Sequence, residues 1–214
     1  MSRGACSRAT VSGSRAAIYL SMGPSGAGKD TLLMGARQKL EDEHESAPDA
    51  PRVAFLRRLV TREPHQCTDL EISVSEREFQ ESADADMYAL SWWAHGTSYA
   101  IARDELERGL ADRKRLVLNV SRTVVDRVIK EYSVGRGVDV FCLHITCSDP
   151  TLISRLMARG REPLEQIHAR LERARRLVPS GPHVLTIYNE SSVDDGVRRV
   201  LHALRYGESL SEDP

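Results

Sequence analysis

A glycine-rich run near the start of the chain constrains the fold more than any other feature. Gly23-Pro24-Ser25-Gly26-Ala27-Gly28-Lys29 follows a short apolar stretch, 16–22, and leads into a helical segment, 28–41. The apolar stretch is typical of a buried parallel strand. Strand, glycine-rich turn and helix in this order predict a phosphate-binding loop, in which backbone N–H groups and the helix N-terminus surround phosphate oxygens. A similar turn without a ligand is the alternative, and Lys29 weighs against it.

The loop predicts ATP as the phosphoryl donor and Mg²⁺ as its metal. The eighth position of the loop pattern is normally Ser or Thr, whose hydroxyl binds Mg²⁺. Here it is Asp30, followed by Thr31. A carboxylate is also a good Mg²⁺ ligand, so we expect the metal at Asp30 and Thr31. The alternative is that Asp30 points away from the phosphates and caps the helix.

The predicted ATP-binding residues combine the loop with one position after the last predicted strand. Lys29 is expected to reach the β- and γ-phosphates. Asn189 lies either near adenine or in a turn. The full set is Gly23, Pro24, Ser25, Gly26, Ala27, Gly28, Lys29, Asp30, Thr31 and Asn189.

The rest of the chain alternates strands with helices, which predicts an α/β fold with a mostly parallel sheet flanked by helices. Strands are predicted at 55–61, 71–74, 116–120, 138–146 and 184–188. Helices are expected near 28–41, 103–110, 150–159 and 164–177, with Ser121 capping another and a last one ending near Gly207. Ser75 and Glu78 have the spacing of a capping box. The stretch 60–105 is richer in short strands and predicts an inserted lobe.

Composition and the chain ends narrow the function class. The net charge of −1 over 214 residues gives no indication of nucleic-acid binding. No apolar stretch approaches the roughly 20 residues of a membrane span. Four cysteines without C-x-x-C spacing indicate neither a zinc site nor a disulfide framework. Residues 1–15 lack the apolar core of a signal peptide, so we expect a disordered extension on a cytoplasmic protein.

Several blocks of the sequence resemble one family. The loop is similar to that of guanylate kinases, and Lys29-Asp30-Thr31 is more similar to a branch of that superfamily, the ribose 1,5-bisphosphate phosphokinases of phosphonate breakdown. Four further parts of the sequence resemble the same branch. They are Val60-Thr61-Arg62, Leu90-Ser91-Trp92 with Ala94-His95-Gly96 and Tyr99, Asn119-Val120-Ser121-Arg122, and the arginines of a lid-like segment at 155–171. The sequence departs from the family pattern at two places. In Cys67-Thr68-Asp69-Leu70-Glu71, Asp69 can stand for the family's glutamate, but the family's histidine is missing. Ala100 replaces a glycine that is frequent in the family.

The resemblance implies a P-loop kinase fold and a reaction. The γ-phosphoryl group of ATP would move to the 1-phosphate of ribose 1,5-bisphosphate, which gives 5-phosphoribosyl 1-diphosphate and ADP. Because the attacking oxygen is already anionic, positioning and charge neutralisation would carry catalysis. A single domain is expected over 16–207, with an acceptor-binding lobe at 60–105, a lid at 155–170 and a tail at 208–214.

The resemblance also implies residue roles. The expected catalytic residues are Lys29, Arg159 and Arg161. The expected substrate-binding residues are Arg62, Asp69, Trp92, His95, Tyr99, Arg122 and Arg170. A solvated helix end is the alternative for Arg159 and Arg161, and an exposed loop arginine is the alternative for Arg62. The partner is a small phosphorylated sugar, and the oligomeric state is left open.

Two other functions compete with this interpretation. A guanylate kinase or another nucleoside monophosphate kinase would share the loop, the lid and a phosphate acceptor. An inactive guanylate-kinase-like binding module would share only the fold, and it would not need Lys29 or the lid arginines.

Overall fold

A computed structural model of the chain describes residues 15–46, 52–94, 96–158, 167 and 183–210. Within these ranges, five strands form a parallel sheet in the order β2-β7-β1-β8-β9. They are β1 (Ala17–Met22), β2 (Val53–Leu56), β7 (Arg115–Asn119), β8 (Asp139–Thr146) and β9 (Val184–Tyr188). Every residue of β1 is buried, as expected for a central strand covered on both faces.

A second sheet of four strands lies between β2 and β7 in the sequence. Its order is β4-β3-β6-β5, with β3 (Arg58–Val60), β4 (Glu71–Ser73), β5 (Tyr88–Ala94) and β6 (Thr97–Ala102). Strands β3 and β4 are parallel, whereas β6 is antiparallel to both β3 and β5. This sheet falls in the segment that the sequence predicts to be rich in short strands.

Helices cover both faces of the parallel sheet. They are α1 (Lys29–Ser46), α2 (Glu76–Asp84), α3 (Arg103–Ala111), α4 (Val125–Val128), α5 (Asp149–Ala158) and α6 (Val193–Tyr206). On one face α1, α5 and α6 pack on alternate strand residues such as Tyr19 and Phe141, whose rings stack at 5.0 Å. On the other face α3, the segment 122–134 and the second sheet pack on residues such as Leu20 and Leu118. None of the helices described is long and apolar enough to cross a membrane.

Local signals predict most of these boundaries. The capping box is confirmed, since the Ser75 hydroxyl accepts from the Glu78 N–H and the Glu78 carboxylate accepts from the Ser75 N–H. The last helix ends before Gly207, which has a φ of 68°. The helix expected after Ser121 is irregular, because a 3₁₀ turn (Arg122–Val124) and a π-helical stretch (Ile129–Val134) flank α4. The helix expected at 164–177 lies almost wholly outside the described residues.

One predicted strand is wrong in a way that matters for the site. The segment 55–61 is predicted to be a single strand, but the chain leaves the parallel sheet at Leu56 and enters the second sheet at Arg58. Between them Arg57 is exposed. Strands β2 and β3 therefore pair with different neighbours, and the open space between the two sheets begins at this break.

Candidate active site

The phosphate-binding loop connects β1 to α1 and requires glycine at two positions. Gly23 has a φ of 144°, and a Cβ there would lie 1.9 Å from the carbonyl oxygen of Ile145. Gly28 has a φ of 85°, and its Cβ would lie 2.5 Å from the side-chain nitrogen of Asn189. Positive φ angles are strained for other residues, so both the backbone and the available space exclude a side chain here.

Lys29 and Asn189 both bind backbone carbonyls of this loop. The Lys29 ammonium donates to the carbonyl oxygens of Gly23 and Pro24, each at 3.0 Å. Asn189, buried after β9, donates from Nδ2 to the carbonyl oxygen of Ala27 at 2.7 Å. The Asn189 backbone carbonyl in turn accepts from Arg155 of α5 at 3.1 Å. Asn189 therefore stabilises the loop and, through Arg155, links it to α5.

Asp30 points toward the carboxyl end of β7 rather than away from the loop. Its Oδ1 accepts a hydrogen bond from Nδ2 of Asn119 at 2.6 Å, and Asn119 is the last residue of β7. Strand ends in a parallel sheet meet at one edge, which is where ligands bind in open α/β sheets. Thr31 is exposed and does not line the cleft described next.

A cleft of about 460 Å³, here called the central cleft, lies between the loop and the second sheet. Residues 22–25, 29 and 30 line it from the loop, seven residues between 58 and 99 line it from the second sheet and the β3–β4 connection, and residues 119–122 line it from the end of β7. Among the described residues, its charged lining consists of the cations Lys29, Arg58, Arg62 and Arg122 and the carboxylates Asp30 and Glu71. This excess of positive over negative groups makes the described part of the cleft suited to a polyanion.

Glu71 organises the wall formed by the second sheet. Its Oε1 accepts from Arg58 at 2.7 Å, and its Oε2 accepts from the Thr68 N–H at 3.0 Å and pairs with Arg62 at 3.5 Å. Arg62 also donates to the Tyr99 hydroxyl at 2.8 Å. Because both carboxylate oxygens already accept hydrogen bonds, Glu71 orients the two arginines.

Aromatic rings complete this wall. Trp92 and Tyr99 lie on neighbouring strands and stack nearly parallel, with centroids 5.4 Å apart. Both guanidinium groups lie near the Tyr99 ring, Arg58 at 5.4 Å and Arg62 at 5.9 Å from its centroid. Trp93, the next residue, is 71% exposed, as the alternation of a strand requires when Trp92 faces the cleft.

Arg122 adds a positive charge near the loop, and His144 adds a buried imidazole. Arg122 lines the cleft, and partial burial lowers its pKa, although a guanidinium stays protonated at neutral pH. His144 lies on β8 beside Met22 and is buried. Burial, and then the cations Arg122 and Lys29, lower the pKa of His144 below its ordinary value of 6.5. His144 is therefore neutral near pH 7.

The structure brings together part of the predicted substrate-binding set. Arg62, Trp92, Tyr99 and Arg122 share the central cleft with Lys29. Asp69 is exposed and outside the cleft lining, and Glu71 supplies the carboxylate that we expected from it. The turn at Asp69 and Leu70 accounts for the difference, because only Glu71 enters β4 and faces inward. The residues that lie outside the described part of the chain are His95, Arg159, Arg161 and Arg170.

Arg58 and Glu71 are the two charged residues of the described cleft lining that the sequence analysis does not predict as site residues. The alternation of a strand was an available signal, because Arg58 and Arg62 are an even number of residues apart in or beside the predicted strand 55–61. Glu71 offers no such signal. Its inward orientation depends on pairing between β3 and β4, which no local pattern reveals.

Comparisons with known proteins place this geometry in a family, although no family model matches the chain. It is 38% identical to the ribose 1,5-bisphosphate phosphokinase PhnN of Methylobacterium radiotolerans, over 88% of this chain and 97% of that protein. The corresponding protein of Bradyrhizobium diazoefficiens is 36% identical over 88% of this chain and 87% of its own length.

Two further similarities concern a longer protein and a solved structure. A bifunctional ribose 1,5-bisphosphokinase-thymidine phosphorylase of Cupriavidus pinatubonensis is 34% identical over 92% of this chain, which spans only 30% of that relative. A guanylate kinase structure from Anaplasma phagocytophilum superposes with a TM-score of 0.60 over 91% of this chain and 86% of that one, at 15% identity, which shows the shared fold. From the two PhnN relatives, which it matches over most of their length, the chain belongs to the ribose 1,5-bisphosphate phosphokinase family.

Proposed function

We propose that this chain transfers the γ-phosphoryl group of ATP to the 1-phosphate of ribose 1,5-bisphosphate, with 5-phosphoribosyl 1-diphosphate and ADP as products. The observation that carries the proposal is the central cleft, which joins the phosphate-binding loop to a wall with two arginines from the second sheet. The names of the PhnN relatives supply the sugar and the reaction. Because ATP is the donor, we place the reaction in the cytoplasm, as part of phosphonate breakdown.

The charge distribution suits transfer between two phosphates. The attacking group is a phosphate oxygen that is already negative, so the reaction needs no general base. It does need two polyanions to be held close together, and their repulsion has to be offset by fixed cations. Lys29 and Arg122 supply such charge near the loop, and Arg62 supplies it from the opposite wall.

The residues present also fit Mg²⁺. Within the described ranges there is no group of three or more His, Cys, Asp or Glu side chains that could hold a metal. Mg²⁺ in kinases is bound by one or two carboxylates together with substrate phosphates and water, so a full protein cage is not required. Asp30 is the carboxylate that lines the cleft beside the loop, and we propose it as the ligand, with Thr31 as a further candidate. Bound there, the metal would neutralise charge on the phosphates of ATP.

Four residues enter the proposal from the sequence alone. We propose that Arg159 and Arg161 act on the transferring group from a lid at 155–170, and that Arg170 and His95 contact the acceptor. The division into a domain at 16–207 and an acceptor-binding lobe at 60–105 is proposed on the same basis.

The second sheet does not favour a guanine-binding interpretation. A nucleoside monophosphate kinase for guanine has to satisfy the hydrogen-bonding edge of the base, and such sites discriminate strongly. Of the two carboxylates in the segment 67–71 that could accept from a base, Asp69 is exposed outside the cleft and Glu71 is engaged by Arg58, Arg62 and Thr68.

Acceptor comparison tests the proposed function directly. Purified protein is assayed for ADP release with ATP, Mg²⁺ and either ribose 1,5-bisphosphate or GMP, and ³¹P NMR identifies the diphosphate product. We expect kcat/KM for ribose 1,5-bisphosphate to exceed that for GMP by at least about a hundredfold. The Lys29→Ala protein, purified in parallel, reports any contaminating kinase. Comparable turnover of GMP would replace the proposal with a guanylate kinase, and no turnover of any acceptor would favour a binding module.

A further inference from the structure

Arg58 lines the central cleft and combines burial, a fixed position and a hydrogen-bond donor without a partner among the described residues. Its side chain is 12% exposed, and its Nη2 donates to Glu71 at 2.7 Å. Its Nε is buried, and among the residues that the structure describes it has no hydrogen-bond partner. A buried donor without a partner is unfavourable, so the arrangement gains stability when a ligand supplies an oxygen.

The Arg58–Glu71 pair is poorly explained by stability alone. Buried ion pairs contribute little net stability, because the cost of desolvation offsets the attraction between the charges. Here one carboxylate holds two guanidinium groups near the same Tyr99 ring. Without Glu71 the two cations would repel each other, and with it the group of three keeps one net positive charge facing the cleft.

We propose that Arg58 binds a phosphate of the acceptor, specifically the phosphate that does not take part in the transfer, with Glu71 as the residue that positions it. The inference rests on the proposed function, under which this group is the 5-phosphate of ribose 1,5-bisphosphate. Arg58 then determines specificity for a bisphosphate over a sugar with a single phosphate.

The contrast between the two arginines supports this assignment. Arg58 has the short 2.7 Å contact to Glu71 and is 12% exposed, whereas Arg62 has a 3.5 Å contact and is 27% exposed. A rigidly held donor suits a group whose position and charge stay the same from substrate to product. The less restrained Arg62 suits the phosphate that gains a second phosphoryl group. Arg58 therefore contributes binding that is equal in the ground state and the transition state, which appears in KM rather than in kcat.

Binding of two sugar monophosphates to Arg58→Gln separates this role from a general loss of charge. By calorimetry, we expect Arg58→Gln to bind ribose 5-phosphate at least about tenfold more weakly than wild type, because a charged hydrogen bond is lost. Binding of ribose 1-phosphate should change by less than about twofold. With ribose 1,5-bisphosphate as substrate, KM should rise by at least about tenfold while kcat stays within about threefold of wild type.

Arg57→Gln is the matched control. Arg57 is adjacent, exposed and outside the cleft lining, and it contacts Glu71 only through that residue's backbone carbonyl, at 2.9 Å. Its replacement should leave both affinities and both kinetic constants near wild type. Thermal unfolding checks the fold of each variant. If Arg58→Gln does not fold because Glu71 loses its shortest ion pair, Arg58→Lys keeps a cation beside Glu71 without the Nε donor and should show the same selective loss.

The outcomes separate this inference from the proposed function. The role of Arg58 is overturned if Arg58→Gln binds both monophosphates more weakly by the same factor, or binds only ribose 1-phosphate more weakly. It is also overturned if Arg57→Gln shows the same loss of affinity, or if the wild-type protein does not bind ribose 5-phosphate. If ribose 5-phosphate binds in an Arg58-dependent manner but ribose 1,5-bisphosphate is not turned over, the proposed function fails and the phosphate site stands.

Discussion

Replacing Asn189 with alanine tests whether this side chain supports the phosphate-binding loop or contacts the adenine of ATP. In the structure its Nδ2 donates to the Ala27 carbonyl oxygen at 2.7 Å, and the residue is 5% exposed. Asn189→Ala leaves that carbonyl without its side-chain donor. If the contact supports the loop, the change should lower both the stability of the protein and its affinity for phosphate groups, whatever base the ligand carries.

The expected magnitude follows from the loss of one buried hydrogen bond. Leaving a buried acceptor without its partner costs about 1–3 kcal/mol. For a protein of this size, each kcal/mol lowers Tm by about 2–4 °C, so a loss of about 2 kcal/mol corresponds to about 4–8 °C. Ser191→Ala, two residues further on, removes an exposed hydrogen bond to Asp195 instead of a buried one, so it is a matched control and should lower Tm by less than about 2 °C.

A double-mutant cycle with Gly28 tests the contact itself. A Cβ on Gly28 would lie 2.5 Å from Nδ2 of Asn189, so Gly28→Ala alone combines a clash with the strain of a φ of 85°. When Asn189 is already alanine the clash is gone and only the strain remains. The double variant should therefore be more stable than the sum of the two single changes predicts, by about 1 kcal/mol.

Urea unfolding gives the stabilities, and calorimetry with ATP and with inorganic tripolyphosphate gives the affinities. Asn189→Ala should weaken both ligands by a similar factor. Unchanged tripolyphosphate binding with weakened ATP binding would refute the loop-support argument and restore the adenine contact. Additivity within about 0.3 kcal/mol in the cycle would show that the predicted clash does not exist.

Three further predictions concern the ionisable side chains around the loop. Lys29→Ala should lower kcat by at least about a hundredfold, measured by ADP release, in a protein that still unfolds cooperatively; near-normal turnover would contradict the kinase assignment. Asp30→Thr should improve metal-free ATP binding by about tenfold or more and reduce the tightening that Mg²⁺ produces; equal metal-free affinities by calorimetry would exclude a direct ligand role. Below about pH 6.5 the unfolded chain protonates His144 while the folded protein keeps it neutral, so stability should fall with decreasing pH. His144→Gln should show a smaller fall between pH 8 and pH 5.5 in urea unfolding, and identical pH profiles would disprove the argument.

The phosphate-binding loop was predictable because its determinants are contiguous. The seven residues from Gly23 to Lys29, an apolar strand before them and a helix after them are all visible in one stretch of sequence. The function of Asn189 was not predictable in the same way. Its position after β9 is a local feature, but the carbonyl that it binds lies 162 residues earlier in the chain. A side chain's sequence position therefore indicates the edge of the sheet it occupies without indicating its partner.

The second sheet shows the same limit more strongly. The run from Phe55 to Thr61 has the length of one strand, and the adjacent Arg57 and Arg58 do not by themselves show that the chain changes sheets there. That change decides that Arg58 faces the cleft while Arg57 is exposed. It is enforced by hydrogen bonding of β3 to β4 and β6, so it exists only once the sheet has formed.

Asp30 and Asn119 are separate features of the sequence that form one hydrogen-bonded pair in the fold. The sequence singles out Asp30 because it departs from the usual Ser or Thr, and it singles out Asn119 as part of a block at the end of β7. In the fold the two side chains are joined by a 2.6 Å hydrogen bond. A carboxylate that has to face both phosphates and a metal needs a fixed orientation, since a rotated carboxylate would add repulsion without coordination. An amide donor fixes one oxygen without adding charge, whereas a lysine in the same place would neutralise the carboxylate and weaken its interaction with a cation. The neutral partner therefore favours a metal-ligand role for Asp30 over that of a helix cap.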